Sequence, residues 1–296
     1  MTKRPTKVIC VLGAVVALVT ACGQARAGTA LPKGDDAATY VGGKFEQVMD
    51  KLETTVISAR DVTNSTDAYF RFDEKYIHSI ITSARTGTPE NRAARNRSQK
   101  NPDESLDTFT PGDGTVEYLH LGPVYKTLAP TPWVSMPKND AGLTQPCAWQ
   151  GVLSACKMAD AVDAAYKADK RAVQGAKSMG EGKTALTVDV PFSVFLDNRV
   201  EVLPPSMLDQ IGPELKKALI PATITLNPDG SLVSFVMEAK FEGDGHKLEL
   251  RYDFRFTGKA GPQDMPAVPD AAQVTVLPDQ AAKQDFYRRL GELQGQ

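Results

Sequence analysis

Two periods of apolar residues run along this chain and divide it into helices and strands. In residues 40–59, Val41, Phe45, Val48, Met49, Leu52 and Val56 recur at helical spacing, which predicts an amphipathic helix. The run YFRFDEKYIHSI changes to period two. Phe70, Phe72, Tyr76, His78 and Ile80 are expected on one strand face, with Arg71, Asp73 and Lys75 on the other. TVEYLHL and PWVSMP read as two more short strands. Met158, Val162, Ala165 and Tyr166 then give a second helical stripe. In TALTVDVPFSVFL the strand period returns, with Leu186, Val188, Val190, Phe192, Val194 and Leu196 pointing one way. A helix opening at Pro204 and Pro205 is expected to carry Leu208, Ile211, Leu215 and Leu219.

The pattern is clearest over PATITLNPDGSLVSFVMEAKFEGDGHKLELRYDFRF, which reads as three strands and two turns. Asn227-Pro228-Asp229-Gly230 places Pro and Gly where a tight turn wants them, and residues 242–245 supply the second turn. In the last strand Leu248, Leu250, Tyr252, Phe254 and Phe256 alternate with charged residues, giving one wet and one buried face. QVTVLP is a candidate final strand, and Asp279 a cap for a closing helix over residues 279–296. Together these elements predict an α+β fold: a curved antiparallel sheet whose broad apolar face is covered by helices.

Three stretches lack either period. Residues 8–19 are continuously apolar but too short to cross a bilayer, which takes about 20 residues. Lys3, Arg4 and Lys7 precede them and small residues follow, as in a secretory signal peptide over residues 1–21. The VTAC ending resembles the lipobox of bacterial lipoproteins. That resemblance implies cleavage before Cys22 and a diacylglyceryl anchor on its thiol, placing the protein on the extracytoplasmic face of the cell membrane. Residues 22–39 then read as the lipidated cysteine and a flexible tether. Residues 85–114 are polar, with Leu106 and Phe109 as their apolar residues larger than alanine, and are expected to be a mobile loop. The remainder, 40–296, reads as a single domain.

Loss of Lys3, Arg4 and Lys7 takes the basic count from 34 to 31 against 36 acidic residues, a net charge of −5. That balance argues against a nucleic-acid partner. Cys147 and Cys156 form an even pair in an exported chain, which is most simply a disulfide. His78, His120 and His246 lack metal-ligand spacing, and no nucleophile elbow, phosphate loop or dinucleotide fingerprint occurs. Residues 225–236 fail as a calcium loop, because Val236 stands where a bidentate Glu is required. The chain is therefore read as a non-enzyme without a cofactor. Arg85, Arg92, Arg95, Arg97 and Lys100 form a basic run opposed by Glu90. It reads as a solvated stretch, with contact to anionic headgroups as the other reading.

The order of elements, together with TALTVDV, the proline-opened helix and LNPDGSLV, resembles the actinobacterial lipoproteins of the LppX and LprG type. The resemblance implies their LolA/LolB-like fold, a half-open antiparallel barrel with helices over its concave face. It also implies their association with lipid carriage across the envelope. The cysteine pair and the polar stretch from Arg85 depart from that family's pattern. The expected function is a membrane-anchored binder or carrier of a lipid or other hydrophobic ligand. The alternative is a surface lipoprotein with a filled interior that acts as a sensor or partner of another envelope protein. Phe70, Phe72, Tyr118, Val188, Phe192, Phe235, Met237, Tyr252, Phe254 and Phe256 are the candidate cavity-lining residues; ordinary core packing is the alternative for each.

Overall fold

Hairpins build the sheet outward from its middle in both directions. The computed structural model describes residues 46–48, 59–138 and 146–294. In it β1 (Val62–Phe72), β2 (Lys75–Thr86), β3 (Asn91–Ser98), β4 (Ser105–Thr110), β5 (Val116–Leu121) and β6 (Trp133–Pro137) form one meander. Helix α1 (Gln150–Ala168) follows. A second meander comprises β7 (Val173–Ser178), β8 (Thr184–Pro191), β9 (Leu219–Leu226), β10 (Leu232–Gly243) and β11 (His246–Lys259), and β11 pairs with β1. Strand β12 (Val274–Val276) pairs in parallel with β6 at the far edge. The result is one curved, mostly antiparallel twelve-stranded sheet in an α+β arrangement. The short helices α2 (Phe192–Asp197), α3 (Pro205–Leu208) and α4 (Pro213–Lys217) lie between β8 and β9, and α5 (Gln280–Leu293) closes the chain.

The sheet's inner face holds two cores. Over β1 and β7–β11, the alternating residues Phe70, Val188, Phe235, Tyr252 and Phe254 pack against Met158 and Val162 of α1, Phe192 and Phe195 of α2, and Leu215 of α4. Over β5 and β6, Leu119, Leu121, Val134 and Met136 pack under Phe286 and Leu290 of α5. Asp279 caps α5 through its Oδ1, which accepts the Ala282 N–H at 2.9 Å. Between the two cores, the inner faces of β2, β3 and β4 carry Ile77, Ser79, Ile81, Asn96, Leu106 and Thr108.

Several expectations are corrected here. Residues 85–114 are not a loop; they hold the end of β2 and all of β3 and β4. Their buried side chains include Arg85, Ala93, Ala94 and Phe109, and the ladder of main-chain hydrogen bonds, with an Arg97–Asp107 ion pair across it, makes strand with few large apolar residues. Tyr76, His78 and Ile80 do not share a face with Phe70 and Phe72. The two-residue turn at Asp73 and Glu74 pairs Phe72 with Lys75 and Phe70 with Ile77, which shifts the parity. Strand β8 stops at Pro191, so Phe192, Val194 and Leu196 belong to α2. The expected helix from Pro204 to Leu219 is α3 and α4, separated by a break before Pro213, with Leu219 already in β9. Of the helix expected over residues 40–59, Glu46, Gln47 and Val48 are helical, whereas Ala59 is not; its other residues lie outside the described ones. So do the expected signal peptide, Cys22 and the tether.

Cys147 and Cys156 are bonded, with S–S 2.04 Å and Cα–Cα 5.7 Å. The bond ties the turn before α1 to the helix's second turn and so holds Trp149 in place. Replacing both cysteines by serine is expected to lower unfolding free energy by roughly 2.5–3 kcal/mol, from the freed loop entropy. Urea denaturation of parent and double variant measures it, and coincident curves would refute it.

Candidate functional site

A trough opens between the two cores. Its floor is the inner face of β2–β5. One wall is the start of α1, with Trp149 and Leu153, and the segment 199–202; the other is α5, with Lys283, Tyr287 and Leu290. The main cavity has a volume of about 690 Å³. A second cavity of about 420 Å³ shares Ser79, Asn96, Leu106, Glu201, Val202 and Gln294 with it, so the two form one groove. The reason for the opening is local sequence. Ser79, Asn96, Thr108 and Thr110 stand at inward positions where β8–β11 have Val, Ile and Phe, so a described helix gains little apolar burial by lying there. The Thr108 Oγ1 is buried without a hydrogen-bond partner among the described residues.

Charges gather at one end. The Arg92 guanidinium pairs with Glu90 at 2.6 Å and lies 5.8 Å from the centre of the Trp149 ring. Lys138 donates to the Pro111 carbonyl at 3.0 Å and the Gly112 carbonyl at 3.3 Å. Lys283 of α5 reaches Glu117 of β5 at 2.7 Å. Behind Arg92, directly opposite it on β2, Arg85 is buried. Burial holds the Arg85 pKa below the usual arginine range, and Glu90 opposes that shift. Tyr287 is pushed up to about 12 by burial and by Glu117.

Glu201 stands at the junction of the two cavities. Its Oε2 accepts the Tyr252 hydroxyl at 2.5 Å, and its Oε1 accepts the Val202 N–H at 3.1 Å. Burial raises its carboxyl above the usual value of 4.5, against the lowering effect of both hydrogen bonds. Tyr252, enclosed in the core, is pushed well above the ordinary tyrosine value by burial and by Glu201. Because the folded chain keeps the Glu201 proton to higher pH than the unfolded chain, stability falls as pH rises through the window that starts near 4.5. Glu201→Gln keeps an acceptor for Tyr252 and removes that fall. The Tm of the variant relative to the parent is therefore expected to climb as pH rises above about 4.5. Parallel Tm–pH curves would contradict it.

Of the ten residues expected to line a cavity, Tyr252 lines the trough. Phe70, Phe72, Val188, Phe192, Phe235, Met237 and Phe254 lie in the first core, each at most 2% exposed, and Phe256 packs against that core. Tyr118 is on the outer face, its ring stacked on Phe109 with centroids 6.3 Å apart. Sequence reasoning missed Asn96, Glu201, Lys138 and Lys283 altogether. It did single out Arg92, as part of the basic run. The strand period splits that run, turning Arg85 and Arg92 inward and Arg95 and Arg97 outward. His78 and His246 each pair with one aspartate on the outer face and at a turn, Asp67 at 2.9 Å and Asp73 at 2.8 Å. No group of three His, Cys, Asp or Glu side chains fit to hold a metal occurs among the described residues. No helix among them is long and apolar enough to cross a membrane.

No known family model matches the chain, and no curated protein matches it. Among solved structures, a DUF1329 family protein from Desulfovibrio piger aligns over 83% of this chain and 97% of its own, at 8% identity and a TM-score of 0.20. At that score the likeness carries no argument about function.

Proposed function

We propose that this is a lipid-anchored envelope protein, held through Cys22, that binds a lipid or other hydrophobic ligand in the trough between its two cores. The observation that carries this reading is the open cavity of about 690 Å³ on the sheet's inner face, flanked by apolar side chains such as Leu106, Leu119, Leu153 and Val202. That volume lies in the range of small-molecule sites. The mechanism is passive: each methylene moved from water onto the trough floor contributes about 0.8 kcal/mol. A LolA-like half-open barrel is the fold class this reading invokes, with the cavity displaced from the helix-covered half towards β2–β5.

Native mass spectrometry of the chain, purified without harsh detergent, tests the proposal. An added mass that releases an acylated compound on denaturation is expected. A protein that comes out empty, and stays empty when incubated with total membrane lipid, would overturn the carrier reading. The reading of a filled sensor or partner would then take its place.

A further inference from the structure

A carboxyl stands in the middle of the groove. Glu201 borders both cavities, and so do Ser79, Asn96, Leu106 and Val202. One row of the sheet explains how that carboxyl comes to border open space. Tyr252 of β11, Ala68 of β1, Ser79 of β2 and Ser98 of β3 are successive partners across the strands. Tyr252 is large and enclosed, and its hydroxyl donates to Glu201 Oε2. Ala68 and Ser79 are small, so the row drops away next to Tyr252, and both line the main cavity. Ser79 lies two strand spacings from Tyr252, about 10 Å. Asn96, opposite Ile81, is its diagonal neighbour on β3. Ser79 and Asn96 are both partly exposed.

Among the described residues, the partners of the Glu201 carboxyl are the Tyr252 hydroxyl and the Val202 N–H, both neutral. A carboxylate can accept about four hydrogen bonds, so it keeps capacity for a donor that enters the groove. Resting on the carrier reading above, we infer that the ligand is a neutral, hydroxyl-bearing amphiphile whose hydroxyl donates to Glu201 beside Ser79 and Asn96 and whose tail lies against Leu106 and Val202. A hydroxyl both donates and accepts. It can therefore give its proton to the carboxyl and take a hydrogen bond from the Asn96 amide or the Ser79 hydroxyl. A carboxylate or phosphate head brings acceptors alone and meets Glu201 with like charge. An ammonium head brings donors alone and leaves the Asn96 N–H groups unanswered. The bond to Glu201 is charge-assisted, and so among the stronger ones a neutral head can make.

Calorimetric titration of the chain, stripped of bound lipid, with four probes of equal tail length tests the assignment. The probes are 1-monooctanoylglycerol, methyl octanoate, octanoate and octylammonium, each below its aggregation concentration. The glyceride is expected to bind about tenfold or more tighter than the methyl ester, in line with a hydrogen bond to a charged group. Glu201→Gln keeps an acceptor for Tyr252, replaces one oxygen by an NH2 group, and should remove most of that preference. Tm is measured alongside. If Glu201→Gln unfolds, the double variant Ser79→Ala/Asn96→Ala, which touches neither core, decides the matter by the same loss of preference. Equal affinity for glyceride and methyl ester overturns the hydroxyl assignment and leaves the carrier reading standing. So does a preference that survives in a folded Glu201→Gln variant. Octanoate or octylammonium binding as tightly as the glyceride shows a site for a charged head and overturns the neutral one. Binding of none of the four overturns the carrier reading as well.

Discussion

Phe254→Asp is expected to unfold the protein outright. Phe254 is fully buried in the first core, with its ring 5.3 Å from that of Phe256 and its strand partners Thr66 and Phe235 on either side. Deleting a buried phenylalanine side chain costs about 3–5 kcal/mol. An unpaired carboxylate in the same place adds the cost of burying a charge, or of protonating it. The sum is comparable to the whole stability of a typical domain, about 5–15 kcal/mol. Circular dichroism should show loss of the cooperative thermal transition. A variant that still melts cooperatively within a few degrees of the parent would mean that this half of the sheet is hollow after all, and would return the cavity to the helix-covered half.

The second large effect is on binding rather than on folding. Asn96 borders both cavities and is partly exposed. Asn96→Trp places an indole across the middle of the groove without entering either core. Ligand retained by the parent in native mass spectrometry is expected to be lost, with Tm kept within the small range usual for exposed substitutions. A variant that folds and keeps the same bound mass would place the ligand elsewhere on the molecule. Paired with Phe254→Asp, it tests the two halves of the sheet separately, one for stability and the other for the proposed ligand.

Much of the fold was legible because it depends on local pattern. Alternation over residues 247–256 appears as β11, and the Asn227–Gly230 turn closes on itself through the Gly230 N–H to the Asn227 carbonyl at 2.9 Å. Asp279 caps α5, and the cysteine pair bridges ten residues of chain at the start of α1. Each of these needs neighbours only a few residues away. Reading failed where strands lack large apolar residues. Strands β3 and β4 are held by their neighbours' main chain and by small side chains such as Ala93 and Ala94, which carry little periodic signal. It failed again at the Asp73-Glu74 turn, where Phe72 pairs with Lys75 and a count by twos assigns Tyr76 and His78 to the wrong side.

The candidate site was the least legible part. An inward aromatic residue looks the same in sequence whether it fills a core or lines a hole. Phe235 and Phe254 became core because α1, α2 and α4 pack onto them. Glu201 and Lys283 belong to the trough because chain turns and a helix distant in sequence bring them to the faces of β2–β5.

From composition and periodicity alone come the α+β class, most of the strands, the capped closing helix and the pairing of the two cysteines, since each follows from short-range geometry. Which face of β2 looks inward, that β11 lies beside β1, and where the sheet stands uncovered were decided by tertiary packing. Burying apolar area is non-directional, so a pattern records which residues seek cover; long-range contacts settle what covers them and what stays open.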